Sequence, residues 1–156
     1  MVSSQIFKSS SVEETQRFGR KLADFLRPGM TVALYGDLGA GKTLLARSVA
    51  RGLGIAEPVT SPTFTIVQEY NMPAGPLFYH LDMYRINSEE EALGFGIDEY
   101  LFVPDAITFI EWPERIEDLL HAHDPAHGLL CIYIEHKGLH EREITVTVPE
   151  NNNRKH

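Results

Sequence analysis

The chain has 156 residues, a formal net charge of −8 and an ordinary globular composition. That length suits one domain, residues 1–150, able to bury about two-thirds of its unfolded surface, with 151–156 as a polar tail expected to be disordered. The acidic balance excludes a dominant nucleic-acid surface, because phosphate backbones repel it. Cys131 is the lone cysteine, so no internal disulfide exists; its apolar run, Leu129–Ile134, makes it a core residue. Met1–Lys8 lacks a charged segment followed by a long apolar one, and no apolar stretch approaches spanning length, so a cytoplasmic location is expected.

In chain order, Gln5–Lys8 reads as a short edge strand. Ser11-Val12-Glu13-Glu14 is a capping box opening a helix, with Val12, Phe18, Leu22, Phe25 and Leu26 on one apolar face. Pro28-Gly29 should end it. Thr31–Tyr35 is strand-like, and Lys42–Leu53 is a helix with Gly54 as its C-cap. Glu57–Pro62 is too rich in Pro, Ser and Thr for regular structure. Phe64–Tyr70 and Leu77–Asp82 are strands of a hairpin around Pro73, Gly75 and Pro76. Ser88-x-x-Glu91 caps a short helix stopping at Gly94 or Gly96. Ala106–Glu111 is apolar and β-branched, as in a strand covered on both faces. A helical run, Glu114–Leu120, precedes strands Leu129–His136 and Glu143–Val148 around Lys137-Gly138. The alternation predicts a three-layer α/β domain on a mixed, mainly parallel sheet with helices on both faces.

Between the Thr31–Tyr35 strand and the next helix lies Gly36-Asp37-Leu38-Gly39-Ala40-Gly41-Lys42-Thr43, a complete G-x-x-x-x-G-K-[ST] phosphate loop. Its glycines let successive backbone N–H groups turn toward phosphate oxygens. Lys42 brings charge to the β- and γ-phosphates, the Thr43 hydroxyl suits Mg²⁺, and the helix N-terminus favours the same anion. The segment predicts binding of a nucleoside triphosphate.

Hydrolysis also needs placed metal and water. Two apolar strands end in acids, Asp82 and Glu111. In open α/β sheets ligands sit beyond the carboxyl ends of strands, so one acid there can hold the magnesium shell and another can position water. Taken singly, each is equally an exposed acid opening a loop. Ser61-Pro62-Thr63-Phe64-Thr65 stands where nucleotide hydrolases often sense the γ-phosphate, or is an entry turn to a strand. Arg85 reads as a charge stabiliser or, more readily, a surface partner for Glu89 or Glu90, and Trp112 as packing on the site or, more readily, filling core. His121-Ala122-His123-Asp124-Pro125-Ala126-His127 lacks companion metal ligands and reads as a solvated loop.

Four blocks, GDLGAGKT at 36–43, SPTFT with VQEY at 61–70, HLDMYR at 80–85 and FIEW at 109–112, together closely resemble the bacterial TsaE (YjeE) family. The resemblance runs from about Ser11 to Trp112. It implies a P-loop NTPase fold and a small Mg²⁺-dependent ATPase with weak intrinsic turnover. Such an ATPase assists the TsaB–TsaD pair in attaching threonylcarbamoyl to adenosine 37 of ANN-decoding tRNAs. By the same resemblance, Asp37, Leu38, Gly39, Ala40, Gly41, Lys42 and Thr43 hold ATP, with Trp112 flanking the nucleotide or partner surface. Thr43 and Glu111 hold Mg²⁺; Lys42, Asp82 and Thr63 are catalytic, Asp82 helping water attack. The helix start around Ser11–Thr15 contributes to the adenine pocket. Pro113 after the tryptophan, and Leu44 where a second threonine is common, depart from the pattern. The partner expected is protein, without tight tRNA binding or membrane attachment. A small-molecule or nucleoside kinase is the alternative, disfavoured by the lack of an arginine-rich lid; a GTPase lacks its N-K-x-D segment here. A non-catalytic nucleotide-dependent module is a third reading, opposed by the paired acids.

Overall fold

A computed structural model describes residues 2–37, 41–59, 66–125 and 128–149. Their strands are β1 (Val2–Ser9), β2 (Thr31–Tyr35), β3 (Val67–Asn71), β4 (Leu77–Asp82), β5 (Ala106–Glu111), β6 (Leu129–His136) and β7 (Arg142–Pro149). They form one sheet in the order β1-β7-β6-β2-β5-β4-β3. At its centre β2 runs parallel to β5 and β6, and β4 parallel to β5. The outer pairings, β1 with β7, β7 with β6 and β3 with β4, are antiparallel. Only β3 and β7 oppose the common direction, so the sheet is mixed and mainly parallel.

Every residue of β5 is buried, as its unbroken apolar run requires of a strand covered on both faces. The pleat then sorts side chains by parity. Val32, Leu34, Phe78, Ile107 and Phe109 enter one core with α1 (Val12–Ala23) and α2 (Lys42–Gly52). Ala33, Tyr79, Leu81, Ile110 and Cys131 enter the other, beneath α3 (Glu89–Gly94) and α4 (Glu117–His123). This is the expected three-layer arrangement, and Cys131 is buried in it. No described helix is long and apolar enough to cross a membrane.

Both capping serines act as expected: Ser11 Oγ accepts from Glu14 N, and Ser88 Oγ from Glu91 N. The apolar face of α1 needs correction. Thr15, Gly19, Leu22 and Ala23 are its buried positions, whereas Val12 is 50% and Phe25 74% exposed. The helix also stops at Ala23, well before Pro28. Its close approach to α2 explains the choice of small residues. A Cβ at Gly19 would stand 2.5 Å from Ser48 Cβ, and one at Gly52 2.7 Å from Ala23 Cβ. Gly19→Val is therefore expected to cost about 1–3 kcal/mol by overpacking, read as a lower denaturant midpoint at unchanged slope.

The other boundaries shift modestly. β1 extends beyond Gln5–Lys8 at the expected edge position, and the hairpin strand is seen from Val67. The run from Glu114 divides into a 3₁₀ turn, Pro113–Ile116, followed by α4. Gly54, just past α2, takes φ +89°. The tail at 151–156 lies outside the described residues.

Candidate functional site

β2 carries the chain to Tyr35 and releases it at Gly36-Asp37, and the chain re-enters regular structure through Gly41. Gly41 adopts φ +107°, a left-handed angle that a Cβ resists, and caps α2, so Lys42 and Thr43 form that helix's first turn. Leu38, Gly39 and Ala40, the middle of the motif, lie outside the described residues, as do Ser61, Thr63 and Thr65.

The acids reach the same edge through strand register. β4 and β5 are parallel, with Asp82 opposite Glu111 at their carboxyl ends. Parity places His80 and Asp82 on the face of Phe78, and Glu111 on that of Phe109, which is the face α2 covers. Thr43 Oγ1 consequently donates to Glu111 Oε2 at 3.2 Å, and His80 Nε2 lies 2.7 Å from the same oxygen. Asp82 Oδ1 accepts from Tyr84 N at 2.9 Å. The topology thus joins Lys42, Thr43, Asp82, Glu111 and Trp112, which are scattered over nearly half the chain.

Electrostatics separates the two acids. Burial pushes the Glu111 pKa upward, but hydrogen bonds from His80 and Thr43 and the charge of Lys42 more than offset it, leaving it lowered. Asp82 is raised, chiefly by burial, with the Glu111 charge adding and the Tyr84 amide opposing. An anion secured beside a carboxylate inclined to take a proton suits one acid to a cation and the other to a proton.

Lys42 Nζ donates to Gly36 O at 2.7 Å and lies 3.8 Å from the centroid of the Trp112 ring. Burial lowers its pKa against the opposing pull of Glu111, Glu114, Asp82 and Asp37. Trp112 reaches this position because its backbone turns left-handed, φ +59°, directly after β5, and its indole packs at 5.1 Å on Tyr84. It is therefore half-buried site structure, the less favoured of the two readings that its residue type leaves open. Since Trp112 is the single tryptophan, its emission should report any ligand that draws Lys42 off the ring. A titration with ADP is expected to change its intensity saturably, and an unresponsive signal alongside calorimetric binding would refute the contact.

The oxygen pair of Thr43 and Glu111 fits a magnesium ion. Adjacent ligands of an octahedral Mg²⁺ stand about 3 Å apart, and the ion prefers hard oxygens supplemented by water and phosphate. His121 and His123 are exposed on α4, with His123 Nδ1 3.0 Å from Leu119 O. Arg85 is exposed and, among the described residues, pairs with neither Glu89 nor Glu90; Glu89 instead accepts from Asp118 N. The start of α1 is tied by Ser9 Oγ, 2.7 Å from Thr15 Oγ1.

Two site residues escaped the sequence reading. His80 is completely buried, and its Nδ1 has no partner among the described residues. Its parity with Asp82 was the available signal. Arg142 opens β7 opposite Ser9, with Nε 3.8 Å from where a Gly41 Cβ would stand. Nothing local in the sequence marks it, because long-range pairing brings it to the loop.

The chain matches, over residues 9–144, the family described as threonylcarbamoyl adenosine biosynthesis protein TsaE. It is 43% identical to the tRNA threonylcarbamoyladenosine biosynthesis protein TsaE of Bacillus subtilis over 145 residues, 93% of this chain and 86% of that protein. A similar protein of the same description from Haemophilus influenzae is 45% identical over 109 residues, covering 67% of this chain and 68% of that one. A crystal structure of Bacillus subtilis YdiB superposes with a TM-score of 0.73 at 36% identity, covering 95% of this chain and 87% of that one.

Proposed function

The chain belongs to the TsaE family, and from that premise we propose that it is a Mg²⁺-dependent ATPase of tRNA threonylcarbamoyladenosine biosynthesis acting on the TsaB–TsaD pair. The observation that carries this reading is the meeting of Lys42, Thr43, Asp82 and Glu111 at one sheet edge. Amides from Asp37 to Thr43, through Leu38, Gly39, Ala40 and Gly41, surround the phosphates, and Lys42 moves from Gly36 O to the β/γ oxygens. Thr43 and Glu111 would hold the magnesium ion, which when bound would offset phosphate charge. Asp82 orients the attacking water and accepts its proton as the water oxygen bonds to the γ-phosphorus. The bond from that phosphorus to the bridging oxygen breaks, and ADP leaves with the electron pair. Trp112 borders the nucleotide, Thr63 belongs to the γ-phosphate-sensing segment, and the start of α1 near Ser11–Thr15 lines the base.

Incubating the purified protein with ATP and Mg²⁺ should release free phosphate slowly, and faster with the purified TsaB–TsaD pair present. Phosphate transferred to a small acceptor, with none released to water, would make the protein a kinase instead.

A further inference from the structure

The helix layer over one face of the sheet is incomplete. α1 and α2 lie side by side over the inner strands, but the outer flank of α1 leaves the β1–β7 margin open as a groove of about 720 Å³. Phe7, Leu130, Val146 and Val148 supply apolar surface from the sheet, and Phe7 stacks on Phe18 of α1 at 4.8 Å. Along α1, Glu14, Arg17, Phe18 and Lys21 recur at helical spacing on the groove side, and Phe25, two residues past the helix end, lines the same groove. Phe25 is 74% exposed, a large aromatic with no core to fill. In a chain of net charge −8, this rim carries Lys8, Arg17 and Lys21 against one carboxylate, Glu14.

We propose that this groove docks an amphipathic helix of the protein partner, with large apolar anchors on one face and Asp or Glu along its flank. Resting on the partner reading above, the inference adds where and by what chemistry the partner binds. The charge and shape of the groove define such an occupant. A helix about 10 Å across laid beside α1 would complete the layer, its anchors meeting Phe25 and Val146 and its acids meeting Arg17 and Lys21. The following residues of this chain, Glu150–His156, bring no apolar side chain and add Arg154 and Lys155, the wrong chemistry for a basic apolar groove.

The test is the affinity of the full chain for the purified TsaB–TsaD pair, measured at two salt concentrations. Phe25→Asp is expected to weaken binding at least about tenfold, as loss of an aromatic anchor does. Arg17→Glu with Lys21→Glu should slow association and flatten its salt dependence, whereas Arg51→Glu, on the exposed end of α2, should do neither. ADP affinity, read by Trp112 emission, should stay unchanged in all of them, which controls for folding. If the unaltered protein fails to bind the pair, the partner reading and the groove assignment fall together. If it binds and the groove variants match it, the groove assignment alone falls. A dimer of this chain abolished by Phe25→Asp, or attachment to phosphatidylglycerol vesicles lost in the groove variants with pair binding intact, would overturn it in favour of those occupants.

Discussion

Lys42→Ala is expected to lower nucleotide affinity and turnover together, turnover by about 10²–10³-fold, the scale of losing one preorganised charge-stabilising donor. Lys42 is buried, held by Gly36 O and the Trp112 face. Burial lowers its pKa, so the ammonium sits less comfortably there than in water and gains on meeting a polyphosphate. Arginine should not substitute, because a planar fork needs a wider space than a compact ammonium. Calorimetric titration with ADP and phosphate-release kinetics measure the two losses. Unaltered turnover in Lys42→Ala would remove the phosphate site from this loop.

Glu111→Gln and Asp82→Asn are expected to fail in different ways. Glutamine keeps the shape beside His80 and Thr43 but removes the charge that the proposed metal would meet. The variant should therefore bind nucleotide as the parent does in EDTA while losing the gain that Mg²⁺ confers. Asp82→Asn should bind Mg²⁺–nucleotide nearly normally and lose about 10²–10⁴-fold in turnover, the usual contribution of a positioned base. The pH profile gives a further check. In the proposed role of base Asp82 must be deprotonated, and burial raises its pKa. The acid limb of turnover should therefore lie above the ordinary aspartate value of about 3.9 and be absent from the residual rate of Asp82→Asn. Equal losses of Mg²⁺-dependent binding in both variants would defeat this division of roles.

Much of this was legible without coordinates because its causes are local. The phosphate loop is a contiguous backbone device, and its glycines announce the turn they permit. The serine caps, the covered strand Ala106–Glu111 and the acids at two strand ends follow from spacing and from the two-residue pleat. Errors arose where a neighbour's shape decided the outcome. The apolar face assigned to α1 counted Val12 and Phe25 as core, yet the contact with α2 selects Gly19 and Ala23 because the helices approach too closely for larger groups. His80 and Arg142 went unnoticed for a related reason. One acquires its role from an oxygen on the adjacent strand, the other from a loop that β7 meets only after pairing with β1 and β6.

The chain's own order of residues therefore determined the parts of the candidate site: a phosphate-loop motif and two strand-end acids, each set by short-range backbone geometry and side-chain periodicity. Tertiary structure decided how those parts serve one another. Only the register of β4 against β5, and the seat of α2 above them, puts Thr43 on Glu111 and tunes two similar carboxylates in opposite directions. Burial and hydrogen bonding are properties of neighbours in space, and no spacing along the chain encodes them directly.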